Sequence, residues 1–183
     1  TAFGFVHDLR TGREAASFNR AHPFRRDRVS LGTGCDAPAT YRTSRDTICF
    51  EPTADGLSIT VRTARIAADL VVDRPTTEET LNFTVDFGNG RFQHNGKHVA
   101  LPAHGTIRFG ARTHTFDVGT AIATLDFGRG RWPDAARWFW ASGGGRIGSE
   151  LIGLNLEGIW TDAQPGIGNA LTIDGRLFPI ESP

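Results

Sequence analysis

The spread of helix-breaking residues is the strongest constraint on this chain. It carries 22 Gly and 9 Pro in 183 residues, and few windows of helical length avoid both. Alternation with period 2 takes the place of a helical period. In residues 57–62, Leu57, Ile59 and Val61 share one face, just after the turn signal Asp55-Gly56. In residues 81–87 the apolar face is Leu81, Phe83, Val85 and Phe87, with Asn82, Thr84 and Asp86 opposite; Gly88-Asn89-Gly90 then stops the strand. Further strands are expected at 2–7, 47–51, 106–109, 113–118, 121–127, 136–142, 151–157, 169–174 and 176–180. Residues 91–101 read as a hairpin folded about Asn95-Gly96, the best short turn signal in the chain. Residues 19–29, rich in Arg and carrying Pro23, read as a long surface loop. Many short strands, regular turn signals and no crossover helix predict an all-β fold, an antiparallel barrel or sandwich.

Charge narrows the function classes. Lys+Arg and Asp+Glu are both 20, so the net charge is zero, and the basic surplus of a nucleic-acid binder is missing. One basic residue is a lysine, Lys97, a skew read as coding composition. The longest uncharged run, residues 163–173, falls short of the roughly 20 apolar residues of a spanning helix. Cys35 and Cys49 are too few for a zinc site; free thiols are the expected state, with one disulfide left open. The compartment stays undetermined, with the cytoplasm favoured, and so does the oligomeric state. The chain has no Met and starts inside a strand, so it reads as a piece of a longer protein: one all-β domain over 1–183, whose final hairpin, 169–183, leads toward a second barrel.

Candidate chemistry gathers in the last third. Folded about Asn95-Gly96, His94 and His98 would point apart, so no metal is expected, and no cofactor motif is present. The run Ser142-Gly143-Gly144-Gly145 reads as a flexible turn, because it lacks the Lys and the helix of a phosphate loop. Trp132, Trp138 and Trp140 fall within nine residues, with Trp160 nearby. Trp138 and Trp140 would share one strand face, either stacked in a core or lining a ligand cavity. In residues 151–157, Ile152, Leu154 and Leu156 form the apolar face, and Gly153 and Asn155 leave room on the other. Asp126 is expected to pair with Arg129; an unpaired Asp126 in an apolar pocket would instead suit general-acid chemistry.

Four motifs in this stretch occur together: Asp126-x-x-Arg129-Gly130, Trp138-x-Trp140-Ala141-Ser142-Gly143, Gly153-Leu154-Asn155-Leu156 and Asn169-Ala170-x4-Gly175-Arg176. In order and spacing they resemble a bacterial lipocalin-like family of unassigned function. That family is distantly similar to hydroxyneurosporene synthase (carotenoid hydratase) and AttH-like proteins. The resemblance implies lipocalin-like barrels and an apolar-lined cavity, and its motifs add Arg129 and Asn169 to the candidate ligand contacts. Gly168 stands where the pattern would have an acidic residue.

Two functions follow as expectations. The first is binding of a small apolar molecule, with Trp138 and Trp140 lining the cavity and Asn155 fixing orientation. The second is a hydratase, isomerase or cyclase in which Asp126 donates a proton to an unsaturated apolar substrate. A saccharide-binding sandwich is a third reading, favoured if Trp138 and Trp140 are exposed to solvent.

Overall fold

In the computed structural model the described residues are 1–21, 26–34, 36–158 and 168–180. They form antiparallel sheets, none of them closed into a barrel. The all-β expectation holds. Cys49 is a buried free thiol, whereas Cys35 and Trp160 lie outside the described residues. Among those residues no helix is long and apolar enough to cross a membrane. The chain divides into two compact units, Thr1–Asp73 with Pro102–Ala121, and Arg74–Leu101 with Ile122–Pro183.

In the first unit, β1 (Ala2–Asp8) and β2 (Arg13–Arg20) form a hairpin. The loop read over 19–29 is thus shorter: β2 runs to Arg20, and Arg26–Arg28 form a 3-10 turn. Then come β3 (Val29–Ser30), β4 (Ala39–Arg42), β5 (Thr47–Thr53), β6 (Gly56–Arg62) and β7 (Ile66–Asp73), each pairing with the next. Strand β7, which the alternation did not pick out, pairs with residues 103–109 of the later strand β9 (Arg91–Phe109). Phe18, Tyr41, Ile48 and Ile66 make the core.

The second unit holds β8 (Leu81–Gly88), the first half of β9, the second half of β10 (Arg112–Arg131), and a sheet of β11 (Phe139–Ile147), β12 (Glu150–Gly158), β13 (Ala170–Ile173) and β14 (Arg176–Pro179). Leu81, Phe83 and Val85 are buried as the alternation predicts and pack with Ala170. Residues 91–101 are no hairpin. Strand β9 runs straight through Asn95 and Gly96, which pair with Phe83 and Asn82 of β8. The turn lies earlier, at Gly88-Asn89-Gly90, all three with positive φ. Both segments carry an Asn-Gly signal, but only the first leaves two strands of matched alternation on either side. As a result His94 and His98 share a face instead of pointing apart. His94 Nδ1 lies 3.1 Å from Thr84 Oγ1, and His98 Nδ1 lies 2.7 Å from Glu78 Oε1.

The glycine run 143–145 is strand as well, paired residue for residue with β12 and with Gly144 opposite Gly153. A Cβ at Gly144 would lie 2.8 Å from the Ala100 methyl and 2.9 Å from Ile122 Cδ1. One at Gly153 would lie 2.8 Å from that methyl and 2.9 Å from Val99 Cγ1. The glycines let residues 99 and 100 of β9 seat directly on the β11–β12 sheet.

Candidate ligand-binding site

The site lies within the second unit, where three residues spaced by two on β9, Gln93, Asn95 and Lys97, face inward. Their strand neighbour β10 carries Gly128 and Gly130 opposite. A Cβ at Gly128 would come 3.5 Å from Asn95 Oδ1, and one at Gly130 would come 2.7 Å from Gln93 Oε1, so the amides occupy the space those side chains would fill. From the facing sheet, Trp140 on β11 and Glu157 on β12 are direct cross-strand partners. Together with Asp126, Trp132 and Trp138 they line a cleft of about 230 Å³.

Lys97 is the electrostatic centre. Its side chain is 3 % exposed, and its Nζ lies 2.9 Å from Asp126 Oδ2 and 3.0 Å from Glu157 Oε1. The same ammonium stands 4.3 Å from the centre of the Trp140 ring. A buried charge is tolerated only with partners this close, and the indole face adds a cation–π contact.

Both outer faces of the aromatic wall are set by hydrogen bonds. Trp140 Nε1 donates to Asn155 Oδ1 (2.8 Å), and Asn155 Nδ2 donates to the Gly168 carbonyl (2.7 Å). Trp132 Nε1 donates to Gln93 Oε1, and Trp132 meets Trp138 edge to face, with centroids 5.1 Å apart and planes at 77°. Arg91 Nη1 donates to the Trp132 carbonyl (3.2 Å) and holds the loop in place. The Trp132 and Trp140 N–H groups are spent on the protein, while Trp132, Trp138 and Trp140 stay 40–48 % exposed as residues. What they offer a ligand is their faces.

The candidates from sequence divide accordingly. Asp126, Trp138 and Trp140 come together in the cleft. Asp126 pairs with Lys97 and not with Arg129, because positions three apart fall on opposite faces of a strand; Arg129 lies outside the lining. Asn155 is fully buried behind Trp140, orienting that ring and not facing the cleft. Asn169 Oδ1 accepts from the Glu157 N–H (2.7 Å) and so braces the β12 backbone. The polar face of β12 is the buried one: Asn155 and Glu157 are inside, while Leu154 is exposed. Gly168 has φ +82°, and a Cβ there would lie 2.6 Å from Glu157 Cγ. An acidic side chain at that position would collide with a buried carboxylate.

Sequence reasoning missed Gln93, Asn95, Lys97 and Glu157. For Gln93, Asn95 and Lys97 the signal was present as a polar i, i+2, i+4 series on one strand that includes the chain's single lysine. The presumed Asn95-Gly96 turn concealed it. A family model described as Domain of unknown function (DUF2804) matches residues 1–182. No curated protein and no solved structure matches the chain.

Proposed function

We propose that this chain, which belongs to the DUF2804 family of domains of unknown function, binds a small molecule in the tryptophan-lined cleft of its second unit. The observation that carries this reading is three half-exposed indoles around a buried, charge-paired lysine. Indole faces exposed at this level contribute little to a core, and they supply a stacking surface for a ligand. The expected ligand was a small apolar molecule held in a lipocalin-like cavity. Five of the nine lining residues are polar or charged, so an amphipathic molecule, with one flat apolar face and a hydrogen-bonding edge, fits better.

The hydratase or isomerase reading has less support. It needs Asp126 as a proton donor in an apolar pocket, and the group nearest to Asp126 is an ammonium at 2.9 Å. A binding role needs neither a nucleophile nor a free acid.

Native mass spectrometry of the protein as isolated tests the proposal, with Trp138→Ala alongside. The expected result is a small-molecule adduct on the wild type, lost on mild activation and absent or much depleted in Trp138→Ala. An adduct equally present in both proteins would place the bound molecule elsewhere and count against the cleft.

A further inference from the structure

We infer that the ligand of this cleft is a neutral saccharide, one of whose hydroxyls accepts a hydrogen bond from Asn95 Nδ2. The inference rests on the binding role proposed above and gives it a chemical class. It starts from a chain of donors and acceptors. An indole N–H can only donate, so the Gln93 atom facing Trp132 Nε1 is the carbonyl Oε1. The Gln93 amide nitrogen then donates to Asn95 Oδ1 at 3.2 Å. That leaves Asn95 Nδ2 as the end of the relay. Asn95 is 2 % exposed, lines the cleft, and its Nδ2 has no hydrogen-bond partner among the described residues. A buried, unmatched amide N–H is costly, and an acceptor on the ligand would satisfy it.

This donor excludes several ligand classes. A wholly apolar molecule would cover Asn95 Nδ2 and leave it unmatched. A tetraalkylammonium ion, suited to aromatic walls, would bring no acceptor. It would also meet Lys97, whose ammonium already stands over the Trp140 face. An anion would face the part-exposed Asp126 carboxylate, and like charges in contact oppose binding.

A neutral molecule with hydroxyls remains. A hydroxyl both donates and accepts, so a single one can take the Asn95 N–H and give its own proton to a carboxylate such as Asp126. The C–H face of a sugar ring suits an exposed indole. A cleft of about 230 Å³ lies below the roughly 300–1,000 Å³ typical of drug-sized ligands, which suits one ring more than a long chain.

The test is a tryptophan-emission titration of the full chain at pH 7. The probes are the methyl glycosides of glucose, galactose and mannose, glucuronate and galacturonate, tetramethylammonium, and N-phenyl-1-naphthylamine as a neutral apolar probe. At least one neutral glycoside should give a saturable change, with the uronates at least about tenfold weaker. Asn95→Ala should weaken that glycoside by about tenfold or more. Asp126→Asn supplies a second readout should Asn95→Ala fold poorly: it should weaken the glycoside while narrowing the gap to its uronate.

If only tetramethylammonium, a uronate or the naphthylamine binds, and Trp138→Ala abolishes it, the cleft is a binding site but the neutral-saccharide assignment is wrong. A glycoside response unchanged in both Asn95→Ala and Trp138→Ala overturns the assignment too. If none of the probes binds, the saccharide assignment falls, and the binding role is then judged on the adduct experiment.

Discussion

Lys97 shows how much one residue can hold here. Its ammonium has two carboxylates within 3.0 Å, and Glu157 is fully buried while Asp126 keeps about a third of its side chain in water. Lys97→Met takes the cation from both. Breaking a buried pair by removing one partner costs about 3–5 kcal/mol, so urea denaturation should show a loss of that order. Adding Glu157→Gln to Lys97→Met should recover more of it than adding Asp126→Asn, because water can solvate Asp126 but not Glu157. Equal recovery by the two would mean that burial does not set the cost. Much of this was within reach of the sequence. Positions 126 and 129 differ by an odd number, so parity alone argues against an Asp126–Arg129 pair on one strand face. The partner across strands, Lys97, needs the register, and the misplaced hairpin obscured it.

Elements were legible where hydrophobicity alternates and illegible where it inverts. Strand β8 buries Leu81, Phe83 and Val85 as expected. In β12 the period is right and the sides are exchanged. Alternation marks two faces, but the buried one is chosen by what lies across from it. Across from β12 are the Lys97 ammonium, the Trp140 N–H and the tightly seated Ala100, which require a carboxylate, an amide and a glycine in turn. The same packing explains why a Ser-Gly-Gly-Gly run that reads as a turn is strand. Gly153→Val tests this at the element scale. Its branched side chain would meet Ala100, Val99 and Thr172, and overpacking of this kind costs about 1–3 kcal/mol. Gly143→Val, on the same strand pair but with open space where its Cβ would be, should be nearly neutral, since a β-branched residue suits a strand. Thermal unfolding of both variants checks the contrast. An equal loss in the two would point to backbone effects and not to the seat of Ala100.

At the scale of the whole molecule, the all-β class was readable from breakers and alternation, because those are properties of composition and local pattern. The two units were not readable. Strands β9 and β10, of 19 and 20 residues, each supply residues to both units, and from sequence each reads as two shorter strands. Gly105 and Gly119, at φ +130° and +81°, lie within them where a break was expected. The net charge is zero near pH 7 and becomes positive as carboxylates protonate, and individual buried carboxylates add to the loss of stability in acid. Glu78 is one. Burial alone would raise its pKa, but the hydrogen bond and charge of His98, supported by Arg74, outweigh burial and hold it below the ordinary value of 4.5. His98 Nδ1 is 2.7 Å from one oxygen and Arg74 Nε is 3.2 Å from the other. A lowered folded-state pKa means that the unfolded chain takes up the proton first as pH falls. The contribution of Glu78 is therefore complete above the unfolded value and disappears as pH drops through the lowered one. Glu78→Gln should cost about 1.5–3 kcal/mol at pH 7, the range for a hydrogen bond to a charged group. Its free energy of unfolding should then vary less with pH below 5 than that of the wild type, so that the two curves converge in acid. Curves that stay parallel down to pH 3 would show that Glu78 titrates alike in the folded and unfolded chains.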